Sequence, residues 1–231
     1  HPEQIISSLP QAVAVLLDPA DCGPAFIALP QDVQEIAWDY PAAFFEPTLH
    51  AIPRPRPDRD RLAEAVRLLK GAKRPLIISG GGVRYSGAET VLADFAEKRG
   101  IPLCETIAGK GAVTHDHPAH VGPIGIVGST SANALAAEAD LVLAVGTRLM
   151  DFTTGSWTAF SPDAKFVSIN AARWDATKHR ALAVVGDALE TVQELDGALG
   201  DWKAAKDWTG KGTAEFAKWN AMLDGFQKPT N

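Results

Sequence analysis

Four glycine-containing stretches, residues 80–82, 106–111, 146–148 and 186–187, each follow a run of apolar residues and are candidates for ligand binding. Glycine at the end of a strand lets a ligand approach the main chain, and the amides of a following helix can meet a phosphate. The same glycines could also do no more than allow tight turns. The residue types leave both interpretations open.

The two standard motifs for nucleotide phosphates are absent. A dinucleotide fingerprint that starts at Gly80 requires glycine at the sixth position, where the chain has Tyr85. A phosphate-binding loop that includes Gly109 and Lys110 requires glycine at the position of Cys104 and Ser or Thr at the position of Gly111. A nucleotide site would therefore need another kind of contact.

The run His115-Asp116-His117-Pro118-Ala119-His120 contains the side chains of a metal site. Zinc sites draw ligands from two clusters, and neither a nearby cysteine nor a second histidine pair accompanies this run. We therefore favour a polar turn. A Gly-x-Ser-x-Gly nucleophile motif is also absent, and Cys104 is expected to be a small buried apolar residue. Arg148 and Asp151 could clamp a ligand or form an internal ion pair, of which we favour the ion pair.

Apolar runs and helical patterns alternate from residue 58 onward, which places these candidates at the ends of strands. The runs lie at 75–79, 101–105, 141–145, 166–169 and 183–185 and are rich in Val, Ile and Leu. Such strands, alternating with helices, are typical of a parallel sheet covered on both faces. The sequence predicts an α/β fold with a doubly wound, six-stranded parallel sheet of the Rossmann-like class.

Polar residues before several helical patterns predict where the helices begin. Ser86 and Glu89 have the spacing of a capping box. Ser129 or Ser131 can cap the helix that precedes residue 140, and Asp187 can cap the helix that follows the last strand.

Residues 52–58, in which prolines alternate with other residues, predict a stiff extended linker. Before the linker, residues 1–51 contain one helical pattern and an apolar run at 25–29, predicted as a short buried strand that needs partners. Residues 59–200 form the predicted sheet domain. Residues 201–231 contain an apolar helix face that consists of Phe216, Trp219, Leu223 and Phe226. This face could pack on its own domain, or the helix could be a linker that docks on a further domain.

The composition excludes several classes of protein. Of the 231 residues, 46% are hydrophobic and 22% charged, which is typical of globular proteins. A net charge of −6 argues against nucleic-acid binding, and no apolar run approaches the roughly 18 residues of a membrane span. Two cysteines form no disulfide framework, so we expect a cytoplasmic protein. The chain starts at His1 and ends without completing an obvious element, so we expect a piece of a longer protein.

Residues 73–187 resemble the central domain of thiamine diphosphate-dependent enzymes of the acetolactate synthase type. The likeness rests on matching order and spacing in residues 74–83, 86–88, 109–112, 117–118, 122–128, 138–148 and 185–188. Residues 24–33 also resemble the last strand of the pyrimidine-binding domain in that family. The resemblance implies thiamine diphosphate and magnesium in the full-length enzyme, homo-oligomers, and pyrimidine- and diphosphate-binding domains that are missing here.

Within that family, residues 151–157 (Asp-Phe-Thr-Thr-Gly-Ser-Trp) and residues 29–33, 40–41 and 44–45 most resemble the hydrolases of myo-inositol catabolism. Those enzymes open the ring of a trihydroxycyclohexane-1,2-dione to 5-deoxy-glucuronate. The resemblance therefore implies hydrolysis of a carbon–carbon bond next to a carbonyl group.

The family's cofactor ligands have no match in this chain. The activating glutamate belongs to the pyrimidine-binding domain, and the diphosphate and magnesium are held by Gly-Asp-Gly with a later Asn, whereas Gly186 and Asp187 precede Ala188. The resemblance thus implies no catalytic and no metal-binding residue in this chain, which alone would be catalytically silent.

Family members that hold FAD in the central domain have Gly-x-Arg-Phe-Asp-Asp, a His-Gly pair and a strand ending in Ile-Asp. The matching positions are Gly-Thr-Arg-Leu-Met-Asp at 146–151, Val-Gly at 127–128 and Ile-Asn at 169–170, so FAD binding is not expected. The resemblance implies only a vestigial crevice, formed by Gly80, Gly81, Gly82, Thr106, Gly128, Gly146, Arg148, Asp151 and Asp187.

Two other functions stay open. Bound flavin or condensation of pyruvate would favour an acetolactate synthase-like carboligase. A thermal shift with NAD, FAD or an adenosine nucleotide would favour a self-sufficient nucleotide-binding module, related to the architecture of sirtuins or electron-transfer flavoproteins.

Overall fold

The computed structural model describes residues 1–226, which divide into two compact units, His1–Arg54 and a second unit that begins at Pro55. The first unit contains helices α1 (Ile5–Leu17) and α2 (Gln31–Gln34) and short 3-10 helices at Pro2–Gln4 and Ala42–Phe45. Its aromatic cluster packs the ring of Tyr40 on Phe44 with 5.5 Å between ring centroids. None of the residues of α1 is buried.

The buried strand predicted at residues 25–29 is wrong. No strand is assigned to these residues, and Phe26 is 92% exposed. A strand needs a neighbouring strand to satisfy its main-chain hydrogen bonds, and residues 1–54 contain no strand with which this run could pair.

The second unit is built on a parallel sheet in the order β3-β2-β1-β4-β5-β6. The strands are β1 (Pro75–Ser79), β2 (Leu103–Glu105), β3 (His120–Pro123), β4 (Leu141–Val145), β5 (Lys165–Asn170) and β6 (Leu182–Val185). All neighbouring strands are parallel, which confirms the predicted fold class. No apolar run marks β3, which starts at the last histidine of the run 115–120; the favoured polar turn occupies the positions before it.

Helices cover both faces of this sheet. The helices α3 (Arg59–Gly71), α5 (Glu89–Arg99) and α9 (Ala188–Leu199) cover one face, and α6 (Thr130–Glu138) and α10 (Lys206–Phe226) cover the other. Shorter helices follow three of the strands: α4 (Gly81–Ser86), α7 (Asp151–Thr154) and α8 (Arg173–Ala176), with a 3-10 helix at Lys178–Arg180. No helix within residues 1–226 is both long and apolar enough to span a membrane.

Alternate residues of each central strand enter two separate cores. Ile77 of β1 packs with α3, α5 and α9, whereas Leu76 and Ile78 pack with α6 and α10. All five residues of β1 and of β4 are buried. Burial on both faces explains why these strands appear in the sequence as continuous apolar runs rather than as alternating patterns.

Helix capping follows the predictions at two of three places. Ser129 caps α6 by accepting the amide of Ala132 at 3.1 Å, and Asp187 caps α9. The capping box at Ser86 is wrong, because Ser86 ends α4 and the first residue of α5 is Glu89, with no side-chain cap. The hydroxyl of Ser86 instead donates to Asp187 Oδ1 at 2.9 Å.

A buried arginine joins α5 to the end of α9. Arg99 is 1% exposed and donates to both the side chain and the carbonyl of Asp196. It also donates to the carbonyls of Gly200 and Trp202. These hydrogen bonds replace those that the guanidinium would make with water, which is the condition for burying a charge.

The first part of α10 packs on the sheet domain. Trp208 is 3% exposed, and its indole N–H donates to the carbonyl of Pro75 at 2.8 Å. Further along, Phe216, Trp219 and Leu223 are half-buried and Phe226 is exposed. Docking of this face on a further domain stays a prediction, and residues 227–231 of the predicted linker segment lie outside the described residues.

Candidate active-site edge of the sheet

The predicted crevice residues lie at the carboxyl edge of the sheet, around the point between β1 and β4 where the strand order reverses. In open α/β sheets this is where ligands bind. The loops that leave the two strands are joined directly: the amide of Gly80 donates to the carbonyl of Val145 at 2.9 Å, and the amide of Gly82 donates to the carbonyl of Gly146 at 2.8 Å.

Three of the glycines are required by contacts between main chains. A Cβ on Gly80 would lie 2.3 Å from the carbonyl oxygen of Gly146, and one on Gly82 would lie 2.7 Å from the Cα of Gly146. Gly146 also has a φ of +59°, which glycine adopts without strain. A Cβ on Gly81 would lie 3.3 Å from Ala108. The close approach of the adjacent loop thus explains why these positions require glycine.

Two polar crevice residues are engaged within the protein. Thr106 is 4% exposed, and its hydroxyl accepts the amide of Gly109 at 3.1 Å. Asp187 is 6% exposed, and its Oδ1 accepts the amide of Leu189 at 3.0 Å in addition to the hydroxyl of Ser86. These contacts fix loops at the carboxyl edge.

Arg148, Asp151 and Gly128 lie further out. Both charged residues are exposed, and no ion pair joins them in the described part of the chain, so the favoured internal pair is wrong. Leu149 between them is buried with a φ of +46°, which redirects the chain. Gly128 closes a turn after β3, where its amide donates to the carbonyl of Gly125 at 2.9 Å.

A buried acid–histidine pair, which joins the last residue of β2 to the first residue of β3, has no counterpart among the sequence predictions. Glu105 is 2% exposed and His120 is 5% exposed, and the ring Nε2 lies 3.3 Å from the carboxylate Oε2. The carboxylate also accepts the amides of Val113 at 3.0 Å and Gly111 at 3.3 Å. The sequence signal that could have indicated this pair is the acidic Glu105 at the end of the apolar run 101–105.

Hydrogen bonding keeps the Glu105 carboxylate ionised despite its position in the interior. Burial by itself would raise the pKa of Glu105, but the hydrogen bonds from His120 and from the amides of Val113 and Gly111 outweigh burial and lower this pKa. The remaining ring nitrogen of His120, Nδ1, is buried without a partner. The pair therefore anchors the loop between β2 and β3.

The described residues do not fit magnesium or a diphosphate. Within residues 1–226 no group of three or more His, Cys, Asp or Glu side chains could hold a metal ion. The buried acids of this part of the chain are Glu105 and Asp187, and both accept protein hydrogen bonds. The two buried acids of this edge are thus both engaged in hydrogen bonds within the protein.

Residues 62–195, more than half of the chain, match the family described as "Thiamine pyrophosphate enzyme, central domain". The chain belongs to the family of thiamine pyrophosphate enzymes. The match confirms the resemblance to the central domain seen in the sequence. The matched residues of this thiamine pyrophosphate enzyme contain all six strands of the parallel sheet.

Two curated relatives of this thiamine pyrophosphate enzyme chain carry the same name. The chain is 46% identical over 205 residues to the 3D-(3,5/4)-trihydroxycyclohexane-1,2-dione hydrolase of Geobacillus thermodenitrificans, covering 89% of this chain and 32% of the relative. It is 45% identical over 200 residues to the enzyme of that name from Clostridium perfringens, covering 86% of this chain and 31% of the relative. The chain spans about a third of the length of these relatives.

A solved structure has a similar fold. It is a putative thiamin diphosphate-dependent enzyme from Mycobacterium smegmatis, with a TM-score of 0.70 and 25% sequence identity. The similarity covers 87% of this chain and 38% of that protein. The chain thus matches one part of that longer protein.

Proposed function

We propose that the chain is the central part of a thiamine diphosphate-dependent hydrolase acting on a trihydroxycyclohexane-1,2-dione. The observation that carries the proposal is 45–46% identity across 86–89% of the chain to relatives with that name. In the proposed reaction, water opens the ring at a carbon–carbon bond next to a carbonyl group and yields 5-deoxy-glucuronate. The pathway would be the catabolism of myo-inositol.

The proposed role of this chain in that enzyme is structural. Glu105 and Asp187 are committed to internal hydrogen bonds, which supports a location of the thiamine diphosphate and magnesium ligands outside this chain. The sheet domain would hold the pyrimidine- and diphosphate-binding domains at a fixed separation and contribute to contacts in a homo-oligomer. We place the enzyme in the cytoplasm.

We also propose that the crevice at the carboxyl edge is vestigial. The contacts of Gly80 and Gly82 with Gly146 support this proposal, because the main chain of one loop occupies the space that a ligand would use next to the other. Equilibrium dialysis of the chain with FAD tests it. Retention of stoichiometric flavin would contradict it.

The proposed activity is tested by comparing the full-length protein with the 231-residue chain. The full-length protein is expected to consume the dione only when both thiamine diphosphate and magnesium are present, and the chain alone is expected to show no turnover. NMR detection of 5-deoxy-glucuronate is the readout, with pyruvate as the control substrate.

Two results would contradict the proposal at different points. Condensation of pyruvate without hydrolysis of the dione would identify a carboligase instead. Turnover of the dione by the 231-residue chain alone would show that the reacting groups lie within it.

A further inference from the structure

An open groove of about 810 Å³ lies at the amino end of β5 and β6, away from the carboxyl edge. Its walls come from α3, from the segment between α7 and β5, and from the residues that lead into β6. Residue 157 is the last of the stretch 151–157, which the resemblance singled out and the proposed structural role does not use. A volume of this size is ordinary for a small-molecule site.

The floor of the groove is aromatic. The ring of Trp157 lies 5.7 Å from that of Phe160 and 5.3 Å from that of Phe166, and the two phenylalanine rings are 5.1 Å apart at nearly a right angle. The imidazole of His179 packs against the indole of Trp157 in a tilted arrangement. The rings therefore brace one another and need no ligand to fix their positions.

The main chain around the groove is held in an unusual conformation. Among the described residues, five that are not glycine have positive φ, and three of these line the groove: Trp157 at +69°, His179 at +58° and Arg180 at +60°. A fourth, Ser156 at +52°, directly precedes Trp157. Left-handed backbone in residues with side chains costs free energy and is concentrated at ligand-binding and active sites.

The groove carries an excess of positive charge. Lys165 and Arg180 line it, and neither makes an ion pair in the part of the chain that the structure describes. The acid of the lining, Glu64, lies 3.5 Å from Arg61 and 3.5 Å from Arg67 of its own helix. Two cationic groups are thus free to bind an anion.

We propose that this groove is a binding site for a small polyhydroxylated anion, such as a sugar acid or a sugar phosphate. The flat apolar faces of the aromatic floor can pack against the carbon skeleton of a polyol ring. The guanidinium of Arg180 and the ammonium of Lys165 can bind its carboxylate or phosphate through charge-assisted hydrogen bonds. The site does not depend on the proposed function, because it uses none of the carboxyl-edge residues.

Isothermal titration calorimetry of the 231-residue chain tests the class of ligand. D-glucuronate, glucose 6-phosphate or both should bind saturably with a Kd of about 1 mM or tighter, and the tighter of the two identifies carboxylate or phosphate as the anionic group. Neutral myo-inositol and inorganic phosphate should each bind at least tenfold more weakly than that ligand. Absence of saturation with both anions at ten times the expected Kd would overturn the proposal. Equal binding of myo-inositol or of inorganic phosphate would do so as well.

Matched variants test the location. Arg180→Gln and Lys165→Gln should each raise the Kd at least fivefold, whereas Arg173→Gln, an exposed arginine outside the lining, should leave it unchanged. Trp157→Phe should reduce the fluorescence change on binding, and Trp174→Phe, which removes an 81% exposed indole outside the lining, should not. Unchanged affinity in both Arg180→Gln and Lys165→Gln would refute the assignment even if Trp157→Phe proved unstable.

Discussion

Replacing Glu105 by glutamine tests whether the buried carboxylate anchors the loop between β2 and β3. Glutamine has nearly the same shape, but one of the two carboxylate oxygens becomes an NH2 group. Oε1 accepts from Val113, and Oε2 faces both Gly111 and His120. In either orientation of the amide, the new NH2 group meets a main-chain donor.

The cost of this change follows from the burial of the site. Leaving a buried donor unsatisfied costs about 1–3 kcal/mol, and the hydrogen bonds that remain lose the assistance of the charge. We therefore expect Glu105→Gln to lower the free energy of unfolding by about 2–4 kcal/mol at pH 7. The matched control is Glu97→Gln, since Glu97 is 58% exposed and lies 3.5 Å from His117; its loss should stay below about 0.5 kcal/mol.

The pH dependence gives this prediction a second, independent readout. Because the folded pKa of Glu105 lies below its ordinary value of 4.5, the stability that the carboxylate supplies is fully present above that value. It is lost as the pH falls through the folded pKa. Urea unfolding should therefore show the stabilities of wild type and Glu105→Gln approaching each other as the pH falls below 4.5. If Glu105→Gln lowers the free energy of unfolding by less than about 0.5 kcal/mol at pH 7, the reasoning is refuted. It is also refuted if the difference in stability between wild type and variant persists unchanged at acid pH.

Three further predictions concern the rest of the sheet domain. Arg99→Met should lower the free energy of unfolding by about 3–5 kcal/mol in urea titrations, because it leaves a carboxylate and three carbonyl groups without their buried donor. Gly146→Ala should cost about 2–4 kcal/mol, since a Cβ there would lie 2.7 Å from the main chain of α4; Gly197→Ala, with nothing within 4 Å, should be neutral or slightly stabilising in the same assay. In the native protein a thiol reagent should label the exposed Cys22 and not Cys104, because burial raises the pKa of the Cys104 thiol; two labelled thiols before denaturant is added would contradict this assignment.

The strands that could be predicted from the sequence are those buried on both faces. Residues 141–145 are an uninterrupted apolar run and residues 75–79 are apolar up to Ser79, and the strands observed there have the same bounds. β3 could not be found in this way, because its four residues are His-Val-Gly-Pro. Its first residue is a buried histidine whose hydrogen-bond partner, Glu105, lies on the neighbouring strand, and no local pattern contains that contact.

Contacts between distant residues also explain the errors at the site and in the capping pattern. The partner of Ser86 is 101 residues further along the chain, so the spacing of three residues to Glu89 was misleading. The groove brings together α3, residue 157 and residue 180, whose separation in the sequence has no characteristic period. The sequence predicted that the carboxyl-edge glycines follow strands. The close main-chain contacts that require glycine at Gly80, Gly82 and Gly146 are visible only in the fold.

The strand order has a consequence for how the chain folds during translation. β1 is central and pairs with β2 on one side and with β4 on the other. Residues 75–79 therefore leave the ribosome well before 141–145, and at about 5–20 residues per second the nascent chain waits about 3–13 s for that second neighbour. For this interval one side of a mostly apolar strand offers unpaired amides and carbonyls, so chaperone capture should be greatest in translation intermediates that end shortly before β4.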